Sequence, residues 1–193
     1  MEKGVSPNRN NGGKIRLYHG SDMAIEHPDV SLNTGFADLG RSFYLTDNHD
    51  AACRRALTQA RRTGTAAGVV SAFELDEAGV PWISIGSGEA PTSVEGPFGL
   101  RFEADATGLA AWISYIKACR SGKTAVAGLG DPAVVRAWIA TEEVEMVCSG
   151  LATADDLVPY LDVSELLVQY CLRDQAFADE YLSFLETEVL PIG

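Results

Sequence analysis

Two short stretches constrain the fold more than any other part of the chain. Lys14 to His19 alternates, with Ile15, Leu17 and His19 on one face, the period of a half-buried strand. It runs on into Gly20-Ser21, a turn. Asp38-Leu39-Gly40-Arg41-Ser42-Phe43-Tyr44-Leu45-Thr46 holds a second short strand at Phe43 to Leu45, again beside a turn. Each stretch sets one polar ring, His19 or Tyr44, among apolar neighbours. A ring at the end of a strand is well placed to reach a ligand.

The rest of the chain mixes elements without a regular βαβ rhythm, which favours α+β over a doubly wound sheet. Ser21 to Leu39 reads as a long connection. Asp47 or Asn48 can cap a helix to about Arg62, with Ala52, Ala56, Leu57 and Ala60 at core spacing. Val69 to Leu75 is a third strand. Trp82 to Gly99, rich in Gly, Ser and Pro, reads as an irregular excursion, and Leu100 and Phe102 as a short strand. Leu109, Trp112, Ile113 and Ile116 repeat as i, i+3, i+4, i+7, an amphipathic helix. Asp131-Pro132 reads as the start of a helix to about Ala140. Val144 to Cys148 reads as a strand, Ala154 to Leu161 as a short helix and Leu166 to Leu172 as a strand. Asp174 then caps a final helix carrying Phe177, Tyr181 and Leu185. Residues 1–13 are polar and read as a mobile tail. Residues 14–193 form one domain, with insertions expected around 82–99 and 121–143.

The 193 residues suffice for a core without staples. A net charge of -12 argues against a nucleic-acid grip, which needs Lys and Arg on phosphates, and suits a basic protein partner. Cys53, Cys119, Cys148 and Cys171 form no Cys-x-x-Cys pair, so they read as small apolar residues of a cytoplasmic protein. No signal core and no membrane-spanning run is present, although export as an effector by another route stays open. His27 and His49 read as solvated, and no metal is expected.

Three motifs fail on their context. Gly122-Lys123-Thr124 imitates the end of a P-loop, but Lys117 stands where the first glycine is required and the segment follows a helix. Gly128-Leu129-Gly130-Asp131-Pro132-Ala133 matches a dinucleotide fingerprint, yet Asp131 would repel a pyrophosphate at a helix start. Gly86-Ser87-Gly88 has Pro91 where a third glycine should be.

The segments Tyr18-His19-Gly20-Ser21 and Asp38 to Thr46 resemble the first two signature motifs of ADP-ribosyltransferases of the His-Tyr-Glu type. The closest likeness is to a bacterial family of ADP-ribosyltransferase-like proteins often encoded beside a small partner protein. The likeness runs from Lys14 to about Phe184. It includes Trp112 to Arg120 as the family's central helix, Val144 to Asp156 as a strand and turn, and Val168 to Arg173 as its late strand. It implies a split β-sandwich with flanking helices. It also implies NAD as co-substrate, with His19 on a ribose hydroxyl, Gly20 and Ser21 on the carboxamide, and Tyr44 stacked on the nicotinamide. Only Gly at position 20 would permit that close an approach.

The resemblance puts Gln169 where related enzymes carry Glu. A carboxylate there bonds the ribose 2'-hydroxyl and stabilises the cationic sugar, whereas Gln bonds the hydroxyl without charge. Losing an aligned charge slows such chemistry by about 10²-fold or more. Glu165 shares strand parity with Gln169 but lies about 13 Å along a strand. Asp38 reads as a turn acid. Leu167 stands where arginine-specific toxins carry Gln or Glu, which disfavours arginine as the acceptor. Three functions follow from the resemblance. The first is a mono-ADP-ribosyltransferase whose acceptor is unknown, with protein favoured over nucleic acid; the resemblance allows a toxin or effector role and a small cognate inhibitor protein. The second is an inactive NAD-binding or protein-interaction module. The third is an NAD glycohydrolase.

Overall fold

A computed structural model describes residues 13–31, 37–88, 93–127 and 129–192. The tail at 1–12, Pro91 and Gly128, each used in a reading above, lie outside the described residues. The fold is α+β: helices flank one sheet of eight strands. In chain order the elements are β1 (Lys14–Ser21), β2 (Phe43–Thr46), α1 (His49–Thr63), β3 (Ala67–Asp76), β4 (Trp82–Ile85) and β5 (Gly99–Phe102). There follow α2 (Ala106–Arg120), β6 (Val134–Trp138), α3 (Glu142–Cys148), α4 (Ala154–Leu157), β7 (Val168–Leu172), α5 (Gln175–Tyr181) and β8 (Leu182–Pro191). The strand order is β4-β5-β6-β7-β2-β1-β3-β8. The β4–β5 and β5–β6 pairs are parallel and the others antiparallel.

One joint of this sheet is thin. β1 and β3 pair along eight positions, from Lys14 opposite Asp76 to Ser21 opposite Val69. β1 and β2 share a single registered pair, Tyr18 opposite Thr46. Beyond it the strands part. The apolar core has two main clusters, and the second spans this joint. Trp112, Ile113 and Ile116 of α2 pack with Leu100, Val135 and Trp138. Ile15, Leu17, Phe73 and Leu75 pack with Phe43, Tyr170 and Phe177.

α1 follows from its sequence signals. Asn48 accepts a hydrogen bond from Ala51 N at 2.8 Å, the side-chain cap of the first turn. Ala52, Ala56 and Ala60 form its buried stripe. They let the helix lie against two glycines, Gly20 of β1 and Gly68 of β3. A Cβ on Gly20 would stand 2.1 Å from Ala52 O, and one on Gly68 2.6 Å from the Ala56 carbonyl carbon.

The structure corrects four expectations. Trp82 to Ile85 is a strand, not part of an irregular excursion, and pairs in register with Gly99 to Phe102. Asp131-Pro132 starts no helix: Asp131 accepts from Thr124 Oγ1 at 2.7 Å, and the next apolar run becomes β6. A short apolar run does not by itself separate a buried strand from a buried helix. The adjoining Val134-Val135 and the slot between β5 and β7 decide for strand. Val144 to Cys148 belongs to a helix because Val144 and Val147, three apart, are its buried face and three Glu residues occupy the first turn. The last helix ends at Tyr181, and Leu185 lies on β8, which covers the edge of β3. Asp174 does cap α5, accepting from Phe177 N at 2.7 Å. The two stretches read as insertions supply β4 and β6. No helix of the described residues is long and apolar enough to cross a membrane.

Candidate functional site

Where β1 and β2 part, a cavity of about 1110 Å³ opens. His19, Gly20 and Ser21 of β1, Tyr44 of β2 and Gln169 of β7 all line it. Sheet register explains how a late strand reaches this place. Thr46 lies opposite Gln169, and Tyr44 opposite Cys171, so Tyr44, Thr46 and Gln169 share one face.

His19 is half-buried and doubly held. Its Nδ1 lies 2.7 Å from Tyr44 O, and its ring stacks on Phe43 with centroids 4.4 Å apart. A carbonyl only accepts, so Nδ1 carries the proton and Nε2 is left as an acceptor. Nε2 has no partner among the described residues. Burial lowers the histidine's pKa, and nearby Arg55 opposes protonation further, against the raising effect of the Tyr44 carbonyl. The imidazole is therefore neutral near pH 7.

Tyr44 is immobilised through its hydroxyl. The O–H donates to Gly40 O at 2.7 Å and accepts from Leu39 N at 3.2 Å. Burial pushes its pKa well above that of a free phenol. The turn that holds it is itself anchored. Arg173 donates to Leu39 O and, at 2.6 Å, to the Tyr115 hydroxyl. Asp38 is no free acid: Arg120 Nη2 donates to it at 2.5 Å and also pairs with Glu145.

Gln169 is 7% exposed, and its Nε2 donates to Trp138 O at 3.1 Å. Its Oε1 has no partner among the described residues. Gly20 owes its lack of a side chain to α1, since the space its Cβ would take is filled by helix backbone. The sequence reading gave that role to a nicotinamide. Ser21 Oγ donates to Asp22 at 3.2 Å. Glu165 sits in a 3-10 turn before β7, not on the strand, and does not line the cavity.

Sequence reasoning missed Arg55, Gln59 and Arg62, which line the same cavity from α1. Their i, i+4, i+7 spacing puts them on one stripe, a signal present in the sequence but read only for its alanines. Glu26, His27 and Asp29 line the cavity from the connection after β1. That connection is pinned to the sheet by Ile25 N donating to Ser71 Oγ at 3.0 Å, and to α5 by Gln175, which accepts from Val30 N and donates to Pro28 O. Chemically the cleft offers an aromatic ring fixed by its hydroxyl, two unpartnered acceptors, the cations Arg55 and Arg62, and the acids Glu26, Asp29 and Asp38.

A family model described as a protein of unknown function (DUF3990) matches residues 15–93, less than half of the chain. That span holds His19, Gly20, Ser21, Tyr44 and the α1 stripe, but not Gln169. No curated protein and no solved structure matches the chain.

Proposed function

We propose that the cleft binds NAD and that the chain is an NAD-dependent mono-ADP-ribosyltransferase of the His-Tyr-Glu type. It would cleave the nicotinamide–ribose bond and pass ADP-ribose to a protein. One observation carries this reading: three separate strands bring His19, Gly20, Ser21, Tyr44 and Gln169 to one cavity. Tyr44, fixed by its hydroxyl, presents a ring for stacking. His19 Nε2 and Gln169 Oε1 accept ribose hydroxyls. Arg55 and Arg62 face the pyrophosphate charge. The parting of β1 from β2 accords with the split sheet that the resemblance implies.

A second reading, NAD binding without turnover, has its own support. Gln169 carries no charge, and its amide is tied to Trp138 O, so it cannot act as a carboxylate would. Asp38 is paired with Arg120, which it shares with Glu145.

Calorimetric titration of NAD into the native protein, Tyr44→Ala and Arg55→Ala tests the shared premise. Binding that is lost in the first variant and at least about tenfold weaker in the second, with circular dichroism unchanged, supports the site. No binding by the native protein would overturn both readings. Nicotinamide release in the presence of lysate proteins then separates them: release with label on protein means transfer, release without label means hydrolysis, and no release means a binding module.

A further inference from the structure

A second group of side chains lies on another flank of α1. His49 and Cys53 are four residues apart and share one face of the helix. At about 100° per residue they stand roughly 130° around the axis from the middle of the Arg55–Gln59–Arg62 stripe. Glu188 of β8 approaches them from the neighbouring strand. His49 Nε2 lies 2.7 Å from Glu188 Oε2, and Cys53 Sγ lies 3.7 Å from the same nitrogen. One donor atom from each residue falls within 4.8 Å of the others.

These distances are close to those of ligands around one small cation. With Zn–N near 2.0 Å and Zn–S near 2.3 Å, tetrahedral angles put nitrogen and sulfur about 3.5 Å apart. The same geometry puts nitrogen and oxygen about 3.3 Å apart, so Glu188 would retreat by about 0.6 Å. Its half-exposed side chain on an edge strand is free to do so. The His49 ring is braced edge-on against Tyr18, with centroids 5.0 Å apart. Asp50 lies 4.0 Å from its other nitrogen, where a carboxylate commonly orients a metal-bound imidazole. A second cavity, of about 280 Å³ and lined by both His49 and Glu188, leaves room for a water ligand. Cys53 Sγ lies equally far, 3.7 Å, from the other ring nitrogen, so the i, i+4 spacing on α1 brings the thiol beside the ring and Glu188 brings the third donor from β8.

We propose that His49, Cys53 and Glu188 form a zinc-type metal site, completed by water, that clamps the first turn of α1 to β8. The sulfur, nitrogen and oxygen donors select Zn²⁺ or a similar borderline ion over Mg²⁺ or Ca²⁺. Binding displaces the proton of the Cys53 thiol to solvent. From sequence His49 reads as solvated and Cys53 as a small apolar residue, although the two stand at i, i+4 on α1.

Co²⁺ titrated into the reduced full chain is the direct test, because a cobalt–thiolate bond absorbs in the near ultraviolet. One Co²⁺ per chain is expected, with that band absent in Cys53→Ser. In Glu188→Gln the affinity should fall by more than about tenfold, since even second-sphere losses cost 10- to 100-fold. Zn²⁺ should displace the cobalt and raise the melting temperature of the native chain alone. No thiolate band, or a band unchanged in Cys53→Ser, would overturn the proposal. Should Cys53→Ser fail to fold, Glu188→Gln decides, and equal cobalt affinity there overturns it too.

Discussion

The imidazole of His19 is committed at one nitrogen and open at the other. Nδ1 takes the Tyr44 carbonyl just past the point where the β1–β2 ladder stops, so the ring replaces a strand hydrogen bond as well as facing the cavity. Replacing it by Ala would remove both roles. A pH series is cleaner. The folded-state pKa of His19 is depressed, so below about pH 6.5 the unfolded chain binds a proton that the folded chain refuses. Its contribution to stability is full above that value and is lost as pH falls toward the folded pKa. Proton NMR should show the His19 ring titrating below 6.5, and a midpoint at or above 6.5 would contradict the buried neutral ring. Gln169 invites a second test. In Gln169→Glu a carboxylate would face Trp138 O, where the amide now donates. We expect a loss of about 1–3 kcal/mol in urea unfolding at pH 7. Relative to native, that loss should shrink as pH falls through the raised carboxyl pKa, because the protonated acid can donate again. An unchanged stability would mean the amide contact is dispensable. The positions of His19, Tyr44 and Gln169 could be read from short motifs. Their pre-bonded state could not, since it depends on carbonyls of other strands for His19 and Gln169 and on the folded turn at Gly40 for Tyr44.

At the scale of elements, α1 does three jobs with three faces: alanines against the sheet, a cationic stripe toward the cleft, and His49 with Cys53 toward β8. The first requires glycines beneath it. Gly68 is outside the cavity, so Gly68→Ala separates packing from ligand contact. Its new Cβ would meet the Ala56 backbone at 2.6 Å, a contact that only movement of the helix relieves. Overpacking of this kind costs about 1–3 kcal/mol. A loss of that size in thermal unfolding is expected, whereas a stability within error of native would show that α1 floats. The sequence carried α1 clearly, because its cap and its alanine period are local signals. It misread β6 and β8 because partners distant in sequence decide them, and α3 because the hydrophobicity of its short apolar run hides the Val144–Val147 spacing. The run Val134–Trp138 is a strand only because β5 and β7 flank it, and Leu185 leaves the helix because β3 offers an edge.

For the whole molecule, the single β1–β2 pair divides the sheet into β1-β3-β8 on one side and β2-β7-β6-β5-β4 on the other. His19 and the α1 stripe approach the cleft from the first side, Tyr44 and Gln169 from the second. A joint of few hydrogen bonds opens at lower free energy than the ladders around it. A ligand touching both sides must hold it shut. At 100 times its dissociation constant such a ligand stabilises the closed state by about 2.7 kcal/mol, close to 100-fold slower opening-limited exchange. With NAD at that excess, amide hydrogen exchange should slow toward this limit at Gly20, Ser21 and Phe43 to Thr46. It should stay unchanged in β4 and β5, which lie at the far edge and contribute nothing to the cavity. Protection spread evenly over the sheet would indicate general stabilisation, and protection confined to one side would mean that the ligand does not bridge the joint. The fold thereby places its weakest seam where its proposed chemistry lies, and the same measurement reads both.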